Sequence, residues 1–556
     1  MTDSPEHRPA AGLDPEMLEM VLDTVDRVGT ELLPKDEVLR FDREEIFPED
    51  VIRTMLGEDI GLQLLFIPEE YGGMGGGAAD ACRVVSAMAG ICLGVSTAFF
   101  ALQLGAEPIL LAGTPDQKEK WLGRIAAGDS LVAYAVTEPE AGSNLGALKT
   151  RAEPVIEGGV LTGYRITGAK QFISTGAHAD FLTVLAQAPE GPTFFIVEKG
   201  APGFFPGKPE HKHGIRASAT NPLTFDNVFA PLENLVGGVP GLGLKQASSV
   251  FARTRLMVGG MALGAGEKAL AIVRDYARQR IQFGSPLSEK QGYVHKLVIP
   301  HLARLASARA LVMATARAYD AGEKGEDVDT RASMAKYLAS EFAVAASDAA
   351  VQALGGYGYI CEYEVEKIRR DTKITTIYEG TSEIQQNIIS LFRWKRTFKT
   401  KGGFYEDLAR EMDDLARTAP RVGALRLAAA ARCVNRTFQL AHARKLTKSQ
   451  AVMFALADMA AWTEAGCALA REAAAGPAEV MAIAKNLQAV LSRVFAAEAA
   501  GLVGRKAFYA ASGTGDVGPG ELAGFEREAD LPALWRAETG LIADMDQAAA
   551  LVFGDS

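Results

Sequence analysis

The chain has 556 residues, a length that accommodates about three to four domains with sizeable cores. Its 48% hydrophobic and 23% charged residues are the balance of an ordinary soluble globular protein, and a net charge of -11 argues against nucleic acid as the main partner. Cys82, Cys92, Cys361, Cys433 and Cys467 show no CxxC or His-pair spacing, so neither a zinc site nor a disulfide framework is indicated and a reducing compartment fits best.

Residues 1–15 are polar and acidic, without an apolar h-region or an Arg-rich amphipathic pattern, so no signal or transit peptide is expected. No uninterrupted apolar run reads as long enough to cross a bilayer. From Pro15 to about residue 127 the pattern is helical: Val21, Val25, Val28 and Leu32 recur at helical spacing until Pro34 breaks them. After a turn-rich break at residues 67–75, residues 79–111 are small and apolar nearly all round, which predicts a buried helix. Short β-rich runs follow at 131–137, 164–166, 181–186, 193–198 and 223–229, punctuated by Gly, Pro and Asn as in a small antiparallel sheet or barrel. Helix returns from Gly243 to about Trp394. Helices, then sheet, then helices is an α+β order, with domains expected at 1–130, 131–240, 241–398 and 399–556. The glycine-rich stretches at 72–77 and 355–358 do not match GxGxxG between a strand and a helix, so a Rossmann dinucleotide site is not expected.

The stretch TTIYEGTSEIQ, residues 375–385, places one carboxylate, Glu379, at a loop-to-helix junction, where a catalytic base is useful. Ile377 and Tyr378 offer apolar neighbours that would raise a carboxylate pKa, and Gly380 lets backbone approach a planar ligand. Thr381 or Ser382 can begin the following helix, and Gln385 stands three residues after Ser382 in a capping-box pattern.

Six segments carry a resemblance: IPEEYGG (67–73), AYAVTEPEAGSN (133–144), GAKQFISTG (168–176), RQRIQFG (278–284) with Gln291 downstream, QALGGYGY (352–359) and IYEGTSEIQ (377–385). In this order they resemble the acyl-CoA dehydrogenases, a flavoprotein family, over most of residues 18–391. The resemblance implies α,β-desaturation of an acyl-CoA thioester, with Glu379 taking the α-proton and the β-hydrogen passing as hydride to N5 of FAD. The enolate oxygen would be held by the backbone N–H of that Glu and a flavin ribityl hydroxyl, a kind of donor worth about a hundredfold or more in rate.

The family pattern puts Tyr134, Val136, Thr137, Gly142 and Ser143 on the flavin, and Phe172 and Ser174 behind its ring. Phe172 stands where many members have Trp, and Ser174 where they have Thr. Strand alternation alone would also account for these two. Arg280, selected over Arg278 by its spacing to Phe283 and Gly284, would reach the diphosphate of a neighbouring subunit, with Gln291, Gln352, Gly355 and Gly356 lining it and Thr381 and Glu383 completing the contact. A flavin site built across subunits implies a homo-oligomer, with a dimer favoured. In one branch of the family the base lies on the helix that here contains Thr254, which cannot act as a carboxylate. Arg255 matches an Arg near the thioester, and Ala252 replaces an Asp used on the pantetheine arm. Ser143, Arg255, Tyr378 and Gly380 would contact substrate. Phe99 and Phe100 lie on the helix expected to line the acyl pocket, where they either close its end or pack in the core. That stretch, residues 95–101, holds no Arg or Lys to pair a second substrate carboxylate.

Residues 400–556 lie beyond the family core and read as further helices, from Leu408, Met412 and Leu415, from Val452, Leu456 and Met459, and from Ile483, Leu487, Val490 and Val494, interrupted by a Gly- and acid-rich loop at 513–530. Such an extension resembles the very-long-chain subgroup, which is dimeric and membrane-associated. Residues 416–457 hold eight Lys/Arg and no Asp/Glu, with Arg421, Arg432 and Arg436 expected on one helix face. Peripheral membrane contact, an acidic redox partner and pairing within the protein are all open uses of that face. The expected setting is the bacterial cytoplasm, or its inner-membrane surface. Electrons would go to an electron-transfer flavoprotein. An acyl-CoA oxidase, an enoyl-CoA reductase and a non-catalytic nucleic-acid-binding relative are the alternatives.

Overall fold

The computed structural model describes residues 12–476, 485–515 and 517–554. Two compact units result, one from the residues up to Ala265 together with Tyr319–Gly322, the other from Gly266–Ala318 and the residues from Glu323 on.

The first unit opens with α1 (Pro15–Glu31), capped by the Asp14 side chain and burying Leu18, Val21, Val25 and Val28 on one stripe. Pro34 ends the pattern, α2 (Lys35–Arg43) starts directly after it, and α3 (Glu49–Leu56) follows. α4 (Ala78–Ala112) is the expected buried helix, with a kink at Cys92. Its first turn is held by Asp320, which accepts from the N–H groups of Ala78 (2.6 Å) and Ala79 (3.0 Å). α5 (Pro115–Ala126) begins with a Thr114/Gln117 capping box.

β1 (Val132–Ala135), β2 (Arg151–Glu157), β3 (Val160–Ser174), β4 (Phe181–Ala188), β5 (Gly191–Glu198), β6 (Phe204–Pro206) and β7 (Thr220–Pro231) form one sheet in the order β1-β4-β2-β3-β7-β6, with β5 on β4. The expected antiparallel sheet or barrel is corrected in two respects. β1 and β2 pair parallel to β4, and the sheet does not close. Parallel pairing needs a long crossover, which the residues between β1 and β4 supply. β2 escaped the sequence reading because only Ala152 of its seven residues is buried. β3 is far longer than residues 164–166, since Gly163 and Gly168 interrupt its apolar pattern. α6 (Gly243–Gln279) follows the sheet and approaches α4 through glycine: a Cβ on Gly264 would stand 1.9 Å from the Ser86 carbonyl oxygen.

The second unit contains the hairpin β8 (Ile281–Gln282) and β9 (Ser285–Pro286), then α7 (Gln291–Leu297), α8 (Ile299–Asp320), α9 (Glu326–Leu354), α10 (Glu364–Thr372) and α11 (Ser382–Lys399). The extension adds α12 (Gly403–Thr418), α13 (Ala424–Ala443), α14 (Gln450–Ala475), α15 (Lys485–Ser512), α16 (Pro519–Glu528), α17 (Leu531–Trp535) and α18 (Leu541–Phe553). Leu408, Met412, Val452, Leu456, Met459, Val490 and Val494 are buried there, as their spacing required. Ile483 lies outside the described residues, as do residues 1–11 of the N-terminal reading. The loop expected at 513–530 is corrected: Pro519 at the first helical turn and Glu521 after it start α16.

Buried charge fastens the extension to the helices that precede it. Arg393 of α11, 1% exposed, forks onto Glu464 of α14 at 2.7 and 2.6 Å and reaches Asp327 of α9 at 2.7 Å, while the Tyr405 hydroxyl donates to Glu464. Burial works against the Arg393 charge, but Glu464 overcomes it and holds the guanidinium pKa above its ordinary value. Part of the basic run is also paired within the unit. Arg432 pairs with Asp413 and Glu406, Arg426 with Asp544 and Arg444 with Glu521, and Arg421 precedes α13 rather than sharing its face. Five helices in fact meet the length and composition of a membrane span, correcting the sequence expectation. Their apolar windows are 50–89% buried within the protein.

Candidate active site

In the first unit, β1 delivers Tyr134, whose ring stacks on Phe194 at 5.7 Å, and the chain then leaves the sheet through Val136 and Thr137. Glu138 and Ala141 close a tight turn by exchanging backbone hydrogen bonds, each 3.1 Å, which leaves Gly142 and Ser143 exposed. This loop is tied to the end of β3. The Gln171 N–H donates to the Thr137 carbonyl at 2.9 Å. A bulge between Lys170 and Ile173 puts Phe172 at φ 61, 61% exposed, with Ser174 half-buried beyond it. The structure therefore joins two sequence-distant segments, Thr137 to Ser143 and Phe172 to Ser174, beside one exposed aromatic face.

The fastening is a buried ion pair that the sequence reading passed over. Lys170 Nζ lies 2.7 Å from Glu138 Oε1, with side chains 0% and 2% exposed, and also donates to the Val136 carbonyl at 3.0 Å. Glu138 accepts in addition from the N–H groups of Lys149 (2.6 Å) and Thr150 (3.2 Å). Burial pushes the Glu138 carboxyl up, but the Lys170 ammonium, and after it the Thr150 side chain and the Lys149 N–H, outweigh it and hold it below the usual carboxylate range. Burial likewise pulls Lys170 down to about 8, against the opposing pull of Glu138. Both residues stand inside segments that carried the resemblance. An acid and a base standing in two such segments was the available signal.

On α6, Arg255 is half-buried, and Thr254 is buried with its hydroxyl returned to the Val250 carbonyl at 3.1 Å. On α4, Phe99 and Phe100 are 1% and 3% exposed, and Phe99 packs on Phe66 at 5.5 Å. One to two turns further, α4 buries Gln103 and Glu107, bonded to each other at 3.1 Å. Arg253 of α6 approaches Glu107 to 3.5 Å, so the cation missing from the helix comes from its neighbour already engaged.

In the second unit, α9 is the platform for the Glu379 loop. From its successive turns the Lys336 ammonium donates to the Gly380 carbonyl (2.8 Å), Ser340 to the Thr375 carbonyl (2.9 Å), and Glu341 accepts from Ser382 (2.5 Å). Gln385, fully buried on α11, gives its amide N–H groups to the carbonyls of Glu379 and Gly380, each at 3.1 Å. Glu379 has φ 56 and Gly380 φ 91. A non-glycine residue in that region costs of order 1–3 kcal/mol, so the two clamps on adjacent carbonyls hold a conformation the chain would not otherwise keep. Tyr378 is half-buried and Ile377 is 48% exposed.

The capping box expected from Ser382 and Gln385 is not made. Thr381 is the N-cap, its hydroxyl accepting from Ile384 N, and Gln385 is spent on the loop. At the start of α11, the Glu383 carboxyl is held below its ordinary pKa by its own backbone N–H and then by the Thr381 hydroxyl.

A second surface gathers the residues assigned to the diphosphate. Arg280 is exposed at the end of α6 with its guanidinium over the Tyr357 ring, 5.8 Å from the centroid, which brings the hairpin beside the segment after α9. Phe283, at φ 50, is 97% exposed. Gln352 is exposed, and a Cβ on Gly355 or Gly356 would meet nothing within 4 Å. Open backbone beside an exposed Arg and an exposed aromatic suits a nucleotide diphosphate. Gln291 is engaged by the extension, donating to Asp546 of α18 at 2.8 Å.

Models of the acyl-CoA dehydrogenase N-terminal, middle and C-terminal domains match residues 15–129, 133–228 and 241–391. The chain belongs to the acyl-CoA dehydrogenase family. It is 40% identical over 373 residues to an acyl-CoA dehydrogenase of Bacillus subtilis (strain 168), spanning 65% of this chain and 93% of that one. It is 38% identical to the acryloyl-CoA reductase (NADH) of Anaerotignum propionicum, across 64% and 89% of the two chains. Among solved structures, acyl-CoA dehydrogenase from Bacillus anthracis in complex with FAD covers 99% of this chain and 97% of its own at 26% identity, with a TM-score of 0.83, so the likeness extends through α12 to α18. A chain in the structure of the electron transferring flavoprotein of Acidaminococcus fermentans matches 68% of this chain and 98% of its own, at 33% identity and TM-score 0.63. The protein is an FAD-dependent oxidoreductase of this family, and the exposed Phe172 face and the open Gly355–Gly356 backbone are the features of each unit that fit the cofactor.

Proposed function

We propose that this dehydrogenase desaturates an acyl-CoA thioester between its α and β carbons, with Glu379 as the base. The observation that carries the assignment is the clamped loop, in which Lys336 and Gln385 fix the carbonyls of Glu379 and Gly380 and so fix the backbone from which the carboxylate and the Glu379 N–H project. Bound FAD supplies a hydride acceptor for the β-hydrogen. The chain's own part is to take the α-proton at the Glu379 carboxylate while that backbone N–H faces the thioester oxygen, where charge develops. Thr254 offers no carboxylate and its hydroxyl is already committed, which favours Glu379 over the alternative position.

Arg280, Gln352, Gly355 and Gly356 bind the diphosphate of a neighbouring subunit's FAD, making the working unit a homodimer at least; their exposure supports this reading. The electron acceptor is an electron-transfer flavoprotein, supported by the similarity to a chain in such a structure. Buried Phe99 and Phe100 with Gln103 and Glu107 deeper on α4 support short acyl groups over the very-long-chain range that the extension suggested. The 38% identity to an acryloyl-CoA reductase supports a second reading, the same chemistry run toward the saturated thioester.

The experiment is anaerobic titration of the flavin absorbance with acyl-CoAs of graded length, then addition of electron-transfer flavoprotein or air. Bleaching by a subset of thioesters and reoxidation by the flavoprotein is expected. A flavin that no thioester bleaches overturns the dehydrogenase reading, and equally fast reoxidation by air turns it to an oxidase.

A further inference from the structure

We propose that Asp458, on α14 of the C-terminal extension, is a positioning residue for the Glu379 loop. The proposal rests on the reading of Glu379 as the base and adds to the site a residue lying beyond residue 391, where the match to the family's C-terminal domain ends.

Asp458 is 7% exposed, and its carboxylate is an acceptor with three partners. Oδ1 accepts from the Tyr337 hydroxyl at 2.8 Å and from Gln386 Nε2 at 2.7 Å, and Oδ2 lies 2.7 Å from Lys506 Nζ of α15. Gln386 also donates to the Tyr337 hydroxyl at 3.2 Å, closing a triangle. Burial and then the Asp458 charge push the Tyr337 pKa well above its ordinary value, so the phenol remains a donor.

The sequence positions of these partners give the triangle its consequence. Tyr337 follows Lys336 on α9, and Gln386 follows Gln385 on α11. Lys336 and Gln385 are the two side chains that clamp the carbonyls of Glu379 and Gly380. One carboxylate therefore ties α9 to α11 at the level where each presents its clamp. Removing it leaves both clamps chemically intact but loosens the spacing between them, since the longer Gln386–Tyr337 bond at 3.2 Å is all of the triangle that remains. Misplacement of a reacting group by about 1 Å can cost a hundredfold in rate.

A docking role alone is the competing explanation, and Glu498 supplies its control. Glu498 of α15 pairs with Arg304 of α8 at 2.9 Å, joining extension to dehydrogenase helices through a pair that includes no residue of α9, α11 or the loop. The test compares purified holoenzymes of wild type, Asp458→Ala, Asp458→Asn and Glu498→Gln, by the anaerobic first-order rate of flavin bleaching per bound flavin at saturating acyl-CoA, across pH, with the half-saturating concentration alongside.

Asp458→Ala is expected to lower that rate about tenfold or more and to move its pH profile, with half-saturation changed less than about threefold. Asp458→Asn, which still accepts through Oδ1, should restore most of the rate. Glu498→Gln should melt lower than wild type and bleach at the wild-type rate. If Asp458→Ala fails to retain flavin, Tyr337→Phe, which removes one hydroxyl with its donated and accepted bonds and no charge, reads the same comparison.

Wild-type rates in Asp458→Ala or Tyr337→Phe, or an equal loss in Glu498→Gln, overturn the proposal while leaving the dehydrogenase reading intact. A wild-type flavin that no acyl-CoA bleaches overturns both.

Discussion

Replacing Lys170 by methionine takes the cation from a buried pair and leaves the Glu138 carboxylate, 2% exposed, with two backbone donors, the N–H groups of Lys149 and Thr150. Removing one partner of such a pair costs about 3–5 kcal/mol, and because those donors remain, the lower end, about 3 kcal/mol, applies. At about 1.4 kcal/mol per factor of ten, local opening of the loop after β1 becomes about 100-fold more frequent. The amides of Thr150, bonded to Glu138, and of Gln171, bonded to the Thr137 carbonyl at 2.9 Å, report that opening by hydrogen exchange. Their protection should fall about 100-fold in Lys170→Met, while Leu182 and Val184 within β4 hold theirs. Adding Glu138→Gln to Lys170→Met should recover about tenfold, because no charge is then stranded. A change below about threefold at Thr150 and Gln171 would refute the view that this pair fastens the flavin-side loop.

Three further outcomes follow from the same geometry. The folded Glu138 pKa lies below its unfolded value, so its contribution is complete above the unfolded pKa of about 4.3 and is lost as pH falls through the lowered folded value. The melting difference between wild type and Glu138→Gln should therefore shrink on acidification through that window, and a difference unchanged down to its acid end contradicts the pairing. The Cβ added by Gly356→Val meets nothing in its own chain within 4 Å and the side chain extends from an exposed position, so the apoprotein should melt as wild type does. Flavin retention should nonetheless drop about tenfold or more, as equilibrium dialysis against FAD would show. Arg393→Met strands Glu464, while Asp327 keeps Arg396 and Arg331, and should cost about 3 kcal/mol, seen as a lower melting temperature and faster proteolysis within α12 to α14; unchanged proteolysis argues against the charge-fastened extension.

The helical parts of the fold were legible because their signals are local. The Leu18 to Val28 stripe, the apolar α4 and the break at Pro34 each involve neighbours in sequence. The sheet was less so. Which strand pairs with β4, and in which direction, depends on residues some fifty positions apart, and β2 buries one side chain in seven. The site shows the same division. Glu379, Thr137, Phe172 and Arg280 could be named from motif spacing, whereas the groups that hold them could not. Lys336 looks like a lone lysine in an alanine-rich helix, Asp458 like an ordinary helical acid, and Glu138 and Lys170 like surface charges, until the fold buries each against its partner. Gln385 was read as half of a capping box, but the fold buries its amide against the carbonyls of Glu379 and Gly380, and Thr381 caps the helix instead.

The most direct test of the account is the anaerobic bleaching of bound flavin by the best acyl-CoA in wild type and in Glu379→Gln. Glutamine keeps the size of the side chain and the loop's two clamps but cannot take the α-proton. The account predicts that Glu379→Gln holds FAD and binds the thioester as wild type does, yet bleaches more slowly by about three orders of magnitude or more. Bleaching at a rate near wild type would show that another group removes the α-proton and that the Glu379 loop is not the catalytic centre.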